Sequence, residues 1–211
     1  MYTFPTTAPI AVTIDVLAAD VTVIACDRSD VVVEVKPADA SKKADVRAAE
    51  QTTVEFANGA LTVVTPKSWR THSPFGGNPT IEVTVQVPTG SRLTATAGVG
   101  QLLGAGALGH CDLSVSLGDI VIERPQGSVV AKTAKGDIRI GEAARGEIRL
   151  ETSVGELEVG IHPGSAVRLE TDATVGAVHN TIAPMAPTGE SVHVCARNAL
   201  GNIIIRHAVA A

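Results

Sequence analysis

Glycines recur through the second half of the chain at 100, 109, 118, 127, 136, 146, 155, 164 and 176, spaced nine or ten apart until a last step of twelve, and Gly201 is a later member. After one set come Asp119-Ile-Val-Ile122, Asp137-Ile-Arg-Ile140, Glu156-Leu-Glu-Val159 and Asn202-Ile-Ile-Ile205. After the other come Ser128-Val-Val-Ala-Lys132, Glu147-Ile-Arg-Leu-Glu151 and Ser165-Ala-Val-Arg-Leu-Glu170. Alternation at period two puts Ile120, Ile122, Ile138, Ile140, Ile148, Leu150, Leu157 and Val159 on one face of a sheet, with Arg139, Glu147, Arg149, Glu151 and Glu158 on the other. A strand of five or six residues and a three-residue glycine turn make nine, and two such units close a circuit of about eighteen. Residues eighteen apart then stack at about 4.8 Å, with glycine at corners that require positive φ. The repeat therefore predicts an all-β chain, wound as a β-solenoid with two strands per coil. Gly-Asp and Gly-Glu also serve hairpins, so a sandwich is the competing arrangement. Hairpin loops vary in length, and the near-constant period favours coils.

Composition agrees with thin, repetitive layers. Hydrophobic residues make up 45% of the 211 but aromatics only 2%, so Val, Ile, Leu and Ala must build the core. Each inward Ile, Leu or Val contributes roughly 1.5–3 kcal/mol on burial, too little from one coil to offset its ordering entropy, so the coils must stack. A net charge of −5 provides no basic patch for phosphates, and no nucleic-acid partner is expected. The start, Met1-Tyr-Thr-Phe-Pro5, has no basic segment leading into an apolar run, and no stretch approaches the roughly 20 apolar residues of a membrane span; a cytoplasmic protein is expected. Cys26, Cys111 and Cys195 are odd in number and far apart, indicating neither a disulfide framework nor a thiolate zinc site.

The whole chain, 1–211, reads as a single domain. Residues 1–66 carry the strand grammar loosely: 10–16, 21–26, 31–35, then 53–57, an Asn58-Gly59 turn and 61–65, with Ala19-Asp20 resembling the later glycine corners. One short helix is expected near 39–50, with Asp39 as candidate N-cap. Its expected place is over an open end of the solenoid, where unpaired strand edges must be blunted. Residues 67–79 lack strand pattern and read as a loop whose Trp69, His72 and Phe75 are candidates for a partner contact. Regular coils are expected over 80–211.

The search for chemistry yields little. Gly104-Ala-Gly106-Ala-Leu-Gly109 matches a dinucleotide fingerprint, but the following His110-Cys-Asp-Leu-Ser-Val-Ser-Leu117 alternates like a strand where the fingerprint needs a helix. Asp119, Asp137 and Glu156 stand one coil apart after equivalent glycines, an acidic ladder that could hold divalent cations weakly. His193 and Cys195 share a strand face and His110 adjoins Cys111, with no third ligand near in sequence, so structural roles are expected for both pairs. No catalytic residue, cofactor, metal or small-molecule ligand is expected.

The chain resembles a bacterial β-strand-repeat, adhesin-type family of unknown function. The resemblance covers nearly the whole length and is carried by Thr3-Phe-Pro-Thr6 leading to Ala8-Pro-Ile-Ala-Val12, Val33-Glu-Val-Lys-Pro-Ala-Asp-Ala-Ser41, Ala48-Ala-Glu-Gln51, Val83-Thr-Val-Gln-Val-Pro88 and Lys135-Gly-Asp-Ile-Arg-Ile-Gly-Glu-Ala-Ala-Arg-Gly146. It implies a solenoid and brings no catalytic residues. The expected function is a non-enzymatic structural or interaction scaffold binding a protein partner or itself. The alternative is a carbohydrate-binding module or carbohydrate-active enzyme, with Trp69 as stacking residue.

Overall fold

The computed structural model describes residues 1–66, 79–182 and 190–208, and among them the chain is all-β apart from one helix. The first third holds β1 (Tyr2–Pro5), β2 (Ala11–Cys26), β3 (Asp30–Pro37), α1 (Lys43–Gln51), β4 (Thr53–Ala57) and β5 (Ala60–Val64). Then follow β6 (Ile81–Pro88), β7 (Arg92–Val99), β8 (Leu102–Leu108), β9 (Cys111–Leu117), β10 (Ile120–Pro125), β11 (Val129–Lys135) and β12 (Ile138–Ala143). The last are β13 (Gly146–Val154), β14 (Leu157–Ile161), β15 (Ala166–Val175), β16 (Val178–Asn180), β17 (Ser191–Leu200) and β18 (Ile203–His207). No helix among the described residues is long and apolar enough to cross a membrane. The interaction-loop candidates Trp69, His72 and Phe75 lie outside the described residues.

Pairing is parallel throughout the repeat. Ile120 stands level with Leu102 and Ile138, and Ile138 with Leu157, at sequence distances of 18, 18 and 19. A second ladder aligns Leu93, Cys111, Val129 and Ile148 in the same way. Strand β2 belongs to both ladders, its first half beside β5 and β7 and its second beside β6 and β8, so all eighteen strands form one continuous sheet. The inward residues of both ladders merge into a single apolar core, in which Ile120, Ile122, Ile138, Ile140, Ile148, Leu150, Leu157 and Val159 are all buried.

The order of the layers departs from chain order at both ends. The strands β17 and β18 lie between β13–β14 and β15–β16, so the layer formed by residues 166–180 is outermost, although residues 191–207 follow it in sequence. Likewise β2 lies between β5–β6 and β7–β8. The glycine period identifies equivalent residues but carries no information about which layer is laid beside which. Residues 10–16 and 21–26, expected as two strands, form one unbroken strand because Ala19 passes the corner within an extended chain.

The beginning of the molecule is closed by antiparallel pairs. β1 pairs β3, β3 pairs β6, and β4 and β5 form a hairpin through Asn58 and Gly59, both at positive φ. The helix lies against β3 and β6 and buries Asp45, whose carboxylate accepts the Thr80 N–H at 3.1 Å. It starts later than expected, at Lys43. Asp39 does not cap it: its Oδ1 accepts the Ser41 N–H at 2.9 Å and the Ser41 hydroxyl at 2.6 Å, closing a turn that precedes the helix.

Candidate functional site

The corner rows are where the repeat meets solvent. The inward side chains of Thr133, Thr152 and Asn198 donate to the carbonyls of Gly118, Gly136 and Gly155 in the neighbouring layer, at 3.1, 3.1 and 2.7 Å. The acidic ladder completes the accounting of backbone groups. Asp119 Oδ1 accepts the Asp137 N–H at 2.8 Å, and Asp137 Oδ1 accepts the Glu156 N–H at 2.7 Å. Asp20 does the same for Gln101 at 3.0 Å and Asn202 for Ala177 at 3.1 Å. Each of these side chains therefore caps the next layer. Asp137→Ala is expected to cost about 1 kcal/mol, as loss of a side-chain cap does, and Asp137→Asn much less, since the amide oxygen still accepts. Urea midpoints of the two variants check this.

The residue before each corner glycine gives a second row. Val99, Leu117, Lys135, Val154, Leu200 and Val175 stand in register, one per layer. The five apolar members are 39–57% exposed. Sequence alternation places Leu117 on the inner face with Leu113 and Val115, but the strand bends at the corner and turns this position outward.

The dinucleotide-like glycines Gly104 and Gly106 lie within β8, and a strand follows, so no helix N-terminus faces them. Cys111 is fully buried, and burial pushes its thiol up to about 12, while His110 beside it faces solvent. An open cleft of about 320 Å³ is lined by Arg124, Glu142, Arg145, His162 and Glu190 among others. Its carboxylates are engaged, Glu142 with His162 at 2.5 Å and Glu190 with Arg145 at 3.1 Å.

The outer face of β17 is different. His193 and Cys195 point outward from it, with Glu147 of β13 beside His193 on one side and Glu170 of β15 beside Cys195 on the other. Ligand atoms of Glu147, His193 and Cys195 lie within 4.8 Å of one another. His193 Nε2 is 3.2 Å from Glu170 Oε1 and 3.6 Å from Cys195 Sγ, which is 3.8 Å from Glu170 Oε2. The His193 hydrogen bond and charge hold Glu170 below the usual carboxylate range. Partial burial, then the Glu170 and Glu147 charges, push the Cys195 thiol up. Sequence reasoning found His193 and Cys195 but not the glutamates, which lie 46 and 25 positions away and arrive only because β17 is laid between β13 and β15.

No family model and no curated protein matches the sequence. Among solved structures, the chain is similar to a candidate lipid-binding protein from Parabacteroides distasonis (11% identity, 99% of this chain and 94% of that one, TM-score 0.38) and to a candidate adhesin from Bacteroides fragilis (10% identity, 97% and 95%, TM-score 0.37). It is also similar, over 97% of its own length and 95% of the other chain, to a candidate cell adhesion protein from Clostridium sporogenes, at 15% identity and a TM-score of 0.50, a likeness of fold that runs nearly from end to end.

Proposed function

We propose that the protein is a non-enzymatic β-solenoid scaffold that associates with a second copy of itself through the apolar corner row. The row of Val99, Leu117, Val154, Leu200 and Val175 carries this reading. The row spans six layers, about 24 Å at the spacing of a sheet, with Lys135 between Leu117 and Val154 as its one charged member, and scattered exposed hydrophobes do not ordinarily align in this way. A surface with a fixed repeat is best matched by one with the same repeat, which an identical row related by a two-fold axis provides. The parallel register of 18 or 19 residues supports the winding, and the C. sporogenes likeness in fold fits a scaffold.

Light scattering across a concentration series tests the proposal. The wild-type chain is expected to dimerise, and the double variant Leu117→Lys, Leu200→Lys to remain monomeric with its melting temperature little changed, because both positions are already exposed. A wild type that stays monomeric at every concentration overturns self-association, and glycan-array binding by that monomer favours the carbohydrate-binding alternative.

A further inference from the structure

We propose that Glu147, His193, Cys195 and Glu170 form a site for a zinc-class divalent ion on the outer face of the sheet, stapling three layers together. The distances carry the assignment. Zinc binds sulfur at about 2.3 Å, imidazole nitrogen at about 2.0–2.1 Å and carboxylate oxygen at about 2.0–2.2 Å, so tetrahedral angles separate neighbouring ligand atoms by about 3.3–3.6 Å. His193 Nε2 lies 3.2 Å from Glu170 Oε1 and 3.6 Å from Cys195 Sγ, and that sulfur lies 3.8 Å from the other Glu170 oxygen, Oε2. Glu147 approaches from the opposite neighbouring strand, within 4.8 Å of both the histidine and the cysteine. Small side-chain rotations convert these contacts into a four-ligand shell.

Donor chemistry selects the ion. A thiolate and an imidazole suit zinc or cobalt, whereas calcium and magnesium favour oxygen-only shells. The charge balance also fits. Arg149 donates to Glu147 at 2.6 Å and Arg168 to Glu170 at 3.0 Å, so the two carboxylates are neutralised and held in place without an ion. These arginine side chains are 56% and 76% exposed and can turn to water when a dication and the thiolate take over. The location gives the site a purpose. Strand β15 lies at the outer edge of its ladder among the described residues, and β17, to which it pairs, is laid out of chain order. An ion bound here ties both neighbours of β17 to it.

Titration of the full chain with Co²⁺ tests the site, because tetrahedral thiolate–cobalt sites give visible bands and a near-ultraviolet charge-transfer band. One equivalent of Co²⁺ is expected to produce both, Zn²⁺ to abolish them, and Cys195→Ser or His193→Ala to prevent them, whereas Cys26→Ser leaves them intact. Wild-type protein supplies a readout that needs no variant. Because a metal-bound thiolate is withheld from alkylating reagents, Zn²⁺ is expected to slow modification of Cys195, mapped by mass spectrometry, by about tenfold or more, with the exposed Cys26 unaffected. Absence of the bands together with unchanged Cys195 alkylation overturns the site. Bands that survive Cys195→Ser but vanish in Cys26→Ser overturn it as well, by assigning the ion to another thiol.

Discussion

Gly136→Ala is expected to destabilise the protein by more than about 4 kcal/mol, beyond the ordinary range of single substitutions. Two costs add. Gly136 has φ +147°, a region closed to L side chains, which alone costs about 1–3 kcal/mol. A β-carbon there would also lie 2.0 Å from the Gly118 carbonyl oxygen and 2.9 Å from Asp119 Oδ1. The first obstacle is backbone of the adjoining layer, itself held by ladder hydrogen bonds, so relief requires the layers to part locally. Gly59→Ala separates the two costs. Gly59 has φ +74° and nothing within 4 Å of its would-be β-carbon, so only the conformational penalty of about 1–2 kcal/mol applies. Thermal melts of the two variants are expected to differ widely, with Gly136→Ala largely unfolded or insoluble. Equal, small losses at both positions would mean that the corners do not stack as closely as the Gly118–Gly136 approach requires.

The same corner explains what can be learned from the sequence. Each layer brings its backbone past glycines of its neighbour at two corners, so the constraint recurs about every nine residues. Inward residues obey it equally, which is why Ile120, Ile138 and Leu157 could be aligned from their spacing alone. Axial order imposes no comparable periodic signature. Local alternation does not distinguish a layer of residues 191–207 laid beside 146–161 from one laid beyond 166–180. The Glu147–His193–Cys195–Glu170 grouping depends wholly on that order and was therefore hidden, although His193 and Cys195 stood out as a pair. The apolar row was hidden for another reason. Val99, Leu117, Val154 and Leu200 continue a period-two pattern, and only the bend of the strand at the corner turns them out of the core.

Laying β2 and β17–β18 inside the stack also has an energetic meaning. Chain ends fray when held along one edge only. Residues 11–26 and 191–207 are instead paired on both sides, whereas residues 166–180 and the strand β1 are each paired on one side. Opening of residues 191–207 must then break two ladders rather than one. Opening of residues 166–180 costs one, and an ion bound at His193 and Cys195 would strengthen the attachment of that layer.

Ile138→Ala is expected to cost about 2–5 kcal/mol, the range for truncating a buried Ile to Ala. Ile138 is completely buried in the middle of a ladder, level with Ile120 on one side and Leu157 on the other, both equally inaccessible. The cavity cannot collapse easily, because its upper and lower walls are fixed by the strand spacing and not by adjustable side chains. The adjoining Arg139 points outward and pairs with Glu158 at 2.5 Å, with its own side chain 59% exposed. Arg139→Ala is accordingly expected to cost no more than about 1 kcal/mol. Urea unfolding followed by circular dichroism measures both. Stacked layers share one core, so the loss at Ile138 should lower the midpoint of a single cooperative transition. A second transition confined to part of the signal would instead mean that the layers on the two sides of Ile138 unfold independently, and that the continuous apolar column does not couple them.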